Sequence, residues 1–123
     1  MELAHTALWV ADLEATLAFY VDALGLERTW SFTGDDGVEN VYVGTPDGAE
    51  IQFKHDPDES APVPAGVDHV GMYVDDVDDC FEHVRAETGC PVVLEPTTMD
   101  DIDCRVAFVS DPDGYDVELV ERL

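Results

Sequence analysis

The sequence predicts an α+β fold built from two tandem βαβββ modules, and three observations carry that expectation. Residues 5–25, HTALWVADLEATLAFYVDALG, match residues 69–89, HVGMYVDDVDDCFEHVRAETG, at an offset of 64, and VGTPDGAEIQF (43–53) matches VSDPDGYDVEL (109–119) at an offset of 66. Each copy opens on period-2 apolar alternation and then passes into helical spacing. A period of about 65 residues is too long for a solenoid and fits a duplicated supersecondary unit.

Each copy begins with a strand, its apolar residues being Leu8 and Val10 in the first, and Val70, Met72 and Val74 in the second. Asp12 and Asp76 then stand where a helix N-cap belongs, because a short carboxylate can accept the free N–H groups of the first turn. The first helix is expected to bury Leu13, Leu17, Tyr20, Val21 and Leu24, and the second Val77, Phe81 and Val84. Gly25 and Gly89 occupy the position after each helix, where a positive φ favours glycine. Three strands complete module one, near 26–33, 38–44 and 49–55, and three complete module two, near 91–95, 103–110 and 115–121. A PDG turn joins the last two strands of each copy. The chain thus reads as one domain, 1–123. Module one covers 1–56, a proline-bearing linker covers 57–66, and module two covers 67–123.

Composition narrows the function. Apolar residues make up 46%, enough for a core, but 29 Asp and Glu face only 5 Lys and Arg, a formal net charge of −24. That sign repels phosphate backbones and anionic headgroups, so neither nucleic acid nor membrane is an expected partner. The acids are spread along the chain as a solvated face, which fits adaptation to high salt; a specific cation-binding surface is the alternative. No apolar run approaches the ~18 residues of a membrane span. Met1-Glu2-Leu3 lacks the basic and apolar regions of a signal peptide, and Cys80, Cys90 and Cys104 show no paired spacing. A cytoplasmic setting is the expectation.

Strand parity then sorts the polar residues. His5, Ala7 and Trp9 face away from the helix side, as do His69, Gly71 and Tyr73. On the fourth strands Ile51, Phe53, Val117 and Leu119 belong to the helix, leaving Glu50, Gln52, Lys54, Asp116 and Glu118 on the other face. The result is a curved sheet with a wet concave side, on which His5, Gln52, His69 and Glu118 take equivalent places on four strands. Two imidazoles, a carboxylate and an amide oxygen form a shell for one divalent metal with open positions for water. His55 and His83 fall on the helix-side parity and a helix surface, outside that set. Trp9 and Tyr73 share the concave face with Lys54, the chain's one lysine, whose ammonium suits an anionic substrate group or else Asp56 or Glu50.

These residues resemble the vicinal oxygen chelate superfamily, the glyoxalase/bleomycin-resistance/dioxygenase fold, and within it glyoxalase I. The resemblance rests on the HTALWVADLEATLAFYVDALGL start and the DPDGYDVELVE end and covers nearly the whole chain. It implies metal ligands on the first and fourth strand of each module: His5, Gln52 (or Glu50), His69 and Glu118. It implies a metal-dependent lyase or isomerase for methylglyoxal detoxification, turning the hemithioacetal of a 2-oxoaldehyde into a 2-hydroxyacyl thioester. Glu118 would shuttle the proton, with Gln52 beside it as the other catalytic residue, and Trp9, Lys54 and Tyr73 would contact substrate. The ion would be Ni, Co, Mn or Zn, or Fe if the chemistry is that of a dioxygenase. Modules of this family pair within a chain or across a dimer, and a homodimer is expected.

Other members keep other reactions open. A His/Gln/His/Glu set resembles methylmalonyl-CoA epimerase, the two-His-one-carboxylate subset resembles extradiol-type dioxygenases, and drug-binding resistance proteins share the fold without catalysis. Bacterial glyoxalase I carries Arg four residues after its first ligand and Asn near the end of the fourth strand. Trp9 stands at the first place and no Asn at the second, which counts against glutathione as the thiol.

Overall fold

The computed structural model describes residues 5–45, 47–60, 67–100 and 102–123. Two compact units emerge, Met1–Val63 and Pro64–Leu123, with their boundary inside the segment read as a linker. Residues 61–66 of that linker and Pro46 of the first PDG turn lie outside the described residues.

Unit one runs β1 (His5–Trp9), α1 (Leu13–Leu17, continued as a π-helix over Ala18–Ala23), β2 (Glu27–Thr33), β3 (Glu39–Gly44) and β4 (Glu50–His55). Unit two runs β5 (Val70–Tyr73), α2 (Val77–Thr88), β6 (Val92–Met99), β7 (Cys104–Ser110) and β8 (Asp116–Arg122). The sheets are four-stranded, ordered β1-β4-β3-β2 and β5-β8-β7-β6. The first and fourth strands pair in parallel and the rest antiparallel, so the α+β reading of two βαβββ modules holds.

Local chemistry sets the helix ends. Asp12 accepts a hydrogen bond from the Ala15 N–H at 3.0 Å, and Asp76 accepts one from the Asp79 N–H at 3.0 Å. Such a cap stabilises a helix by about 1 kcal/mol. Gly25 and Gly89 have φ of 82° and 64°, the left-handed stop that the sequence anticipates.

In α2 the buried residues are Val77, Phe81 and Val84, as expected. The first helix differs. Its most buried residues are Thr16, Phe19, Tyr20 and Ala23, while Leu13, Leu17, Val21 and Leu24 are only half-buried. The π segment is the cause: the Leu24 N–H reaches back five residues to the Phe19 carbonyl, at 3.0 Å. The wider turn brings adjacent Phe19 and Tyr20 into the core together, ring centroids 5.1 Å apart, and Tyr20 meets Phe53 of β4 at 4.9 Å. Fully burying a side chain of this kind contributes roughly 1.5–3 kcal/mol.

Most strand bounds fall within a residue of expectation. β6 is the exception, running to Met99 where the sequence suggests an end near 95. The strand continues through Pro96: β6 is an edge strand whose pairing with β7 shifts register between Val92 and Leu94 and between Leu94 and Thr97. Proline is tolerated in that setting because no ladder bond is required of it. Cys80, Cys90 and Cys104 are free thiols, and burial pushes the Cys80 thiol up.

Candidate metal centre

Helix-side and opposite faces of each sheet separate as the parity argument requires. In unit one Val41 pairs with Phe53 and Val43 with Ile51 on the helix side, while Asn40 pairs with Lys54 and Tyr42 with Gln52 on the other. In unit two Ala107 pairs with Leu119 and Val109 with Val117 on the helix side, with Val106 opposite Val120 and Phe108 opposite Glu118 behind them.

On that second face, unit two brings His69 and Glu118 together. His69 directly precedes β5 instead of lying within it, and its Nε2 stands 3.6 Å from Glu118 Oε1. Its Nδ1 contacts Asp68 Oδ2 at 2.6 Å, an outer carboxylate that orients the ring and leaves Nε2 facing Glu118. The ring edge rests on Phe108, centroids 5.5 Å apart and planes at 83°. Gly71 stands beside Glu118 in the parallel register, and a Cβ there would lie 3.7 Å from Glu118 Oε1, so the carboxylate has room. A nitrogen and an oxygen each about 2.1 Å from one ion lie roughly 3 Å apart at right angles. A small side-chain rotation converts the observed 3.6 Å into that spacing, so this pair fits a divalent metal.

Unit one repeats the ring packing and the strand register. The His5 ring packs edge-on against Tyr42, centroids 5.3 Å apart and planes at 88°, the counterpart of His69 on Phe108. Gln52 stands opposite Ala7 of β1 as Glu118 stands opposite Gly71 of β5, two residues past the histidine level in both units. Glu50, the alternative donor, is level with His5 but accepts a hydrogen bond from the Thr29 hydroxyl. Gln52 is buried, at 7% exposure, where the sequence suggests a wet face. Its Nε2 donates to Asn40 Oδ1 at 2.9 Å, which leaves Oε1 as the end available to an ion.

Lys54 has a partner that the sequence does not indicate. Its Nζ donates to Asn40 Oδ1 at 2.8 Å, not to Asp56 or Glu50, and lies 5.4 Å from the Trp9 ring centroid. Tyr73 is exposed, with the Arg122 guanidinium carbon 3.7 Å from its ring centroid. His55, set aside from the sequence, pairs with Glu39 at 3.2 Å.

Three contributors escape sequence reading. Tyr42 and Phe108 were legible in principle, as aromatic residues recurring at an offset of 66. Asn40 has no such signal, because its counterpart in the second copy is Val106.

Among the described residues, three carboxylates gather elsewhere: Asp76, Asp78 and Glu121, with oxygens within 4.8 Å of one another. Protein groups already engage them. Asp76 caps α2, Glu121 accepts the Val77 N–H at 2.8 Å, and Arg105 forks onto Asp78 at 2.7 and 2.9 Å. The guanidinium hydrogen bonds hold the Asp78 carboxyl below its ordinary range. This cluster clasps the start of α2 to β7 and β8.

Residues 2–119 match the family model described as Glyoxalase/Bleomycin resistance protein/Dioxygenase superfamily. The chain belongs to that superfamily. Among its curated relatives, the probable lactoylglutathione lyase of Synechocystis is 32% identical over 98% of this chain and 95% of the relative. The lactoylglutathione lyase of Haemophilus influenzae is 33% identical over 99% and 93%. Among solved structures, a glyoxalase I variant from Zea mays superposes with a TM-score of 0.89 at 23% identity, a likeness of fold. The match covers 98% of this chain but only 44% of the maize chain. The superfamily fold, with its two βαβββ modules each carrying a four-stranded sheet, is the one the sequence predicts. Relatives named as lyases support an enzyme of the glyoxalase superfamily.

Proposed function

We propose that the protein is a divalent-metal-dependent isomerase of the glyoxalase I type, converting the hemithioacetal of a 2-oxoaldehyde into a 2-hydroxyacyl thioester. The observation that carries this is the donor pair of unit two, His69 and Glu118 3.6 Å apart, with His5 and Gln52 at the equivalent registers of unit one. Relatives at 32–33% identity named lactoylglutathione lyase support the same reading.

In this proposal His5, Gln52, His69 and Glu118 are the metal donors, for Ni, Co, Mn or Zn. A bound cation would supply Lewis-acid chemistry there, making a carbon-bound hydrogen of the substrate more acidic. Glu118 would act as the base, its carboxylate taking that proton and returning it to the neighbouring carbon while the hydroxyl proton passes to the other oxygen. Gln52 contributes no base, since an amide does not titrate in the working range, and acts as an oxygen donor only. Asp68 keeps His69 in one tautomer. Trp9 and Tyr73 contact the substrate, and the two Lys54 N–H donors not used by Asn40 meet an anionic group on its thiol portion. The working assembly is a homodimer in the cytoplasm.

The test is turnover. Protein loaded separately with Ni, Co, Mn and Zn is mixed with methylglyoxal and each of several low-molecular-weight thiols, and thioester formation is followed by absorbance. At least one pair should turn over, with thiols other than glutathione preferred because Trp9 replaces the expected arginine. Absence of turnover in every combination, alongside oxygen uptake with a catechol on Fe(II) loading or epimerisation of a 2-substituted thioester, overturns the assignment.

A further inference from the structure

The two donor pairs are equivalent in position but not in chemistry. Glu118 carries two interchangeable oxygens, so either can face an ion. Gln52 carries one oxygen and one NH2, and a half-turn of its amide would present two N–H donors where a cation belongs. Among the described residues, a device that decides between these orientations stands in unit one. Asn40, 3% exposed, sits in the middle of it.

The device follows from donor and acceptor inventory. Lys54 Nζ can only donate, so its 2.8 Å contact requires Asn40 to present Oδ1. The Asn40 Nδ2 is held by the Val38 carbonyl at 3.1 Å, which favours the same orientation. With Oδ1 fixed, Gln52 must present its NH2 at the 2.9 Å contact, because its oxygen would meet an acceptor. Gln52 Oε1 is therefore turned away from Asn40. In unit two the cross-strand pair equivalent to Asn40 and Lys54 is Val106 and Val120, and the symmetric carboxylate of Glu118 stands beside them. Polar support is present where the donor is an amide and replaced by valines where it is a carboxylate.

We infer that Asn40 and Lys54 are positioning residues that set which end of the Gln52 amide is offered to the metal. Lys54 acts through Asn40, and Asn40 acts through Gln52. The inference rests on the ligand set proposed above and adds to it the reason the chain's one lysine and a buried asparagine share a cross-strand pair.

Binding of Co2+ alone tests it, by titration calorimetry and visible absorption, with no turnover required. Asn40→Leu should weaken Co2+ binding by roughly 10–100-fold, as expected for loss of an outer partner, and alter the Co2+ absorption band. Asn40→Asp keeps an acceptor for both donors and should restore affinity. Lys54→Met should weaken binding less than Asn40→Leu, since the Val38 contact still favours the same Asn40 orientation. In a Gln52→Glu background Asn40→Leu should cost nothing further, because a carboxylate has no wrong end. Should Asn40→Leu fail to fold, Asn40→Ser, too short to reach Gln52, carries the same expectation. Undiminished Co2+ binding in Asn40→Leu and Asn40→Ser, while Gln52→Ala loses it, overturns the positioning role and leaves the ligand set standing. Undiminished binding in Gln52→Ala and in His69→Ala overturns the ligand set and this inference with it.

Discussion

His69 Nε2 and Glu118 Oε1 lie 3.6 Å apart, although 48 residues of chain lie between them. That approach follows from the parallel pairing of β5 with β8, which places Gly71 beside Glu118. His69→Ala should strip a bound divalent ion, because one imidazole carries much of the affinity of a small donor set. His5→Ala should do the same. Metal content of the purified variants, measured by elemental analysis, decides it, and unchanged content in both would remove the site.

Glu118→Gln separates holding the ion from moving the proton. The amide oxygen keeps one donor, but Val106 and Val120 give it no orienting partner, so the ion is supplied in excess, and the base is gone. Turnover should fall by roughly 10²–10⁴-fold, the usual contribution of a positioned general base. Steady-state kinetics on metal-loaded protein give the answer.

Acid should weaken unit two through Asp78. The Arg105 hydrogen bonds hold its carboxyl below the ordinary value, so the folded state releases that proton more readily than the unfolded chain. The stabilisation is present above the unfolded pKa of about 3.9 and is lost as pH falls through the lower folded value. Asp78→Asn should flatten this part of the acid limb in urea denaturation followed from pH 6 to pH 3. A limb identical to that of the parent refutes the pair's contribution.

Charge should make stability depend on salt. With 29 acidic residues and a formal net charge of −24, self-repulsion extends further as the Debye length grows from ~3 Å at 1 M salt to ~30 Å at 0.01 M. The melting temperature should climb as KCl is raised into the molar range. A flat profile assigns the acidity another purpose.

Assembly is open to light scattering. Trp30 and Phe32 on β2 and Val92, Val93 and Leu94 on β6 expose apolar surface on edge strands. We expect a homodimer, and a mass of one chain at molar salt contradicts it.

Much of this architecture was legible because its signals are local. Asp12, Asp76, Gly25 and Gly89 announce helix ends through groups within a few residues, and strand parity correctly sends Phe53, Val117 and Leu119 to the helix side. The first helix misled for a physical reason: a 3.6-residue period cannot foresee the π segment that carries Phe19 inward, and Thr16 counts as polar although it is fully buried. For the site, repetition exposed the histidines and Glu118. The Asn40 relay was invisible to the same method, since a feature present in one copy alone leaves no repeat.

Pro96 has a bearing on how the molecule behaves at high concentration. It sits within β6, an edge of the second sheet, where register shifts already interrupt the pairing with β7. A proline has no N–H to offer a strand arriving from another molecule, and a broken register gives that strand no uniform rail to follow. Val92, Val93 and Leu94 would otherwise make this border adhesive. Pro96 is thus a guard against sheet-by-sheet polymerisation, in a protein whose charge repulsion fades as salt rises.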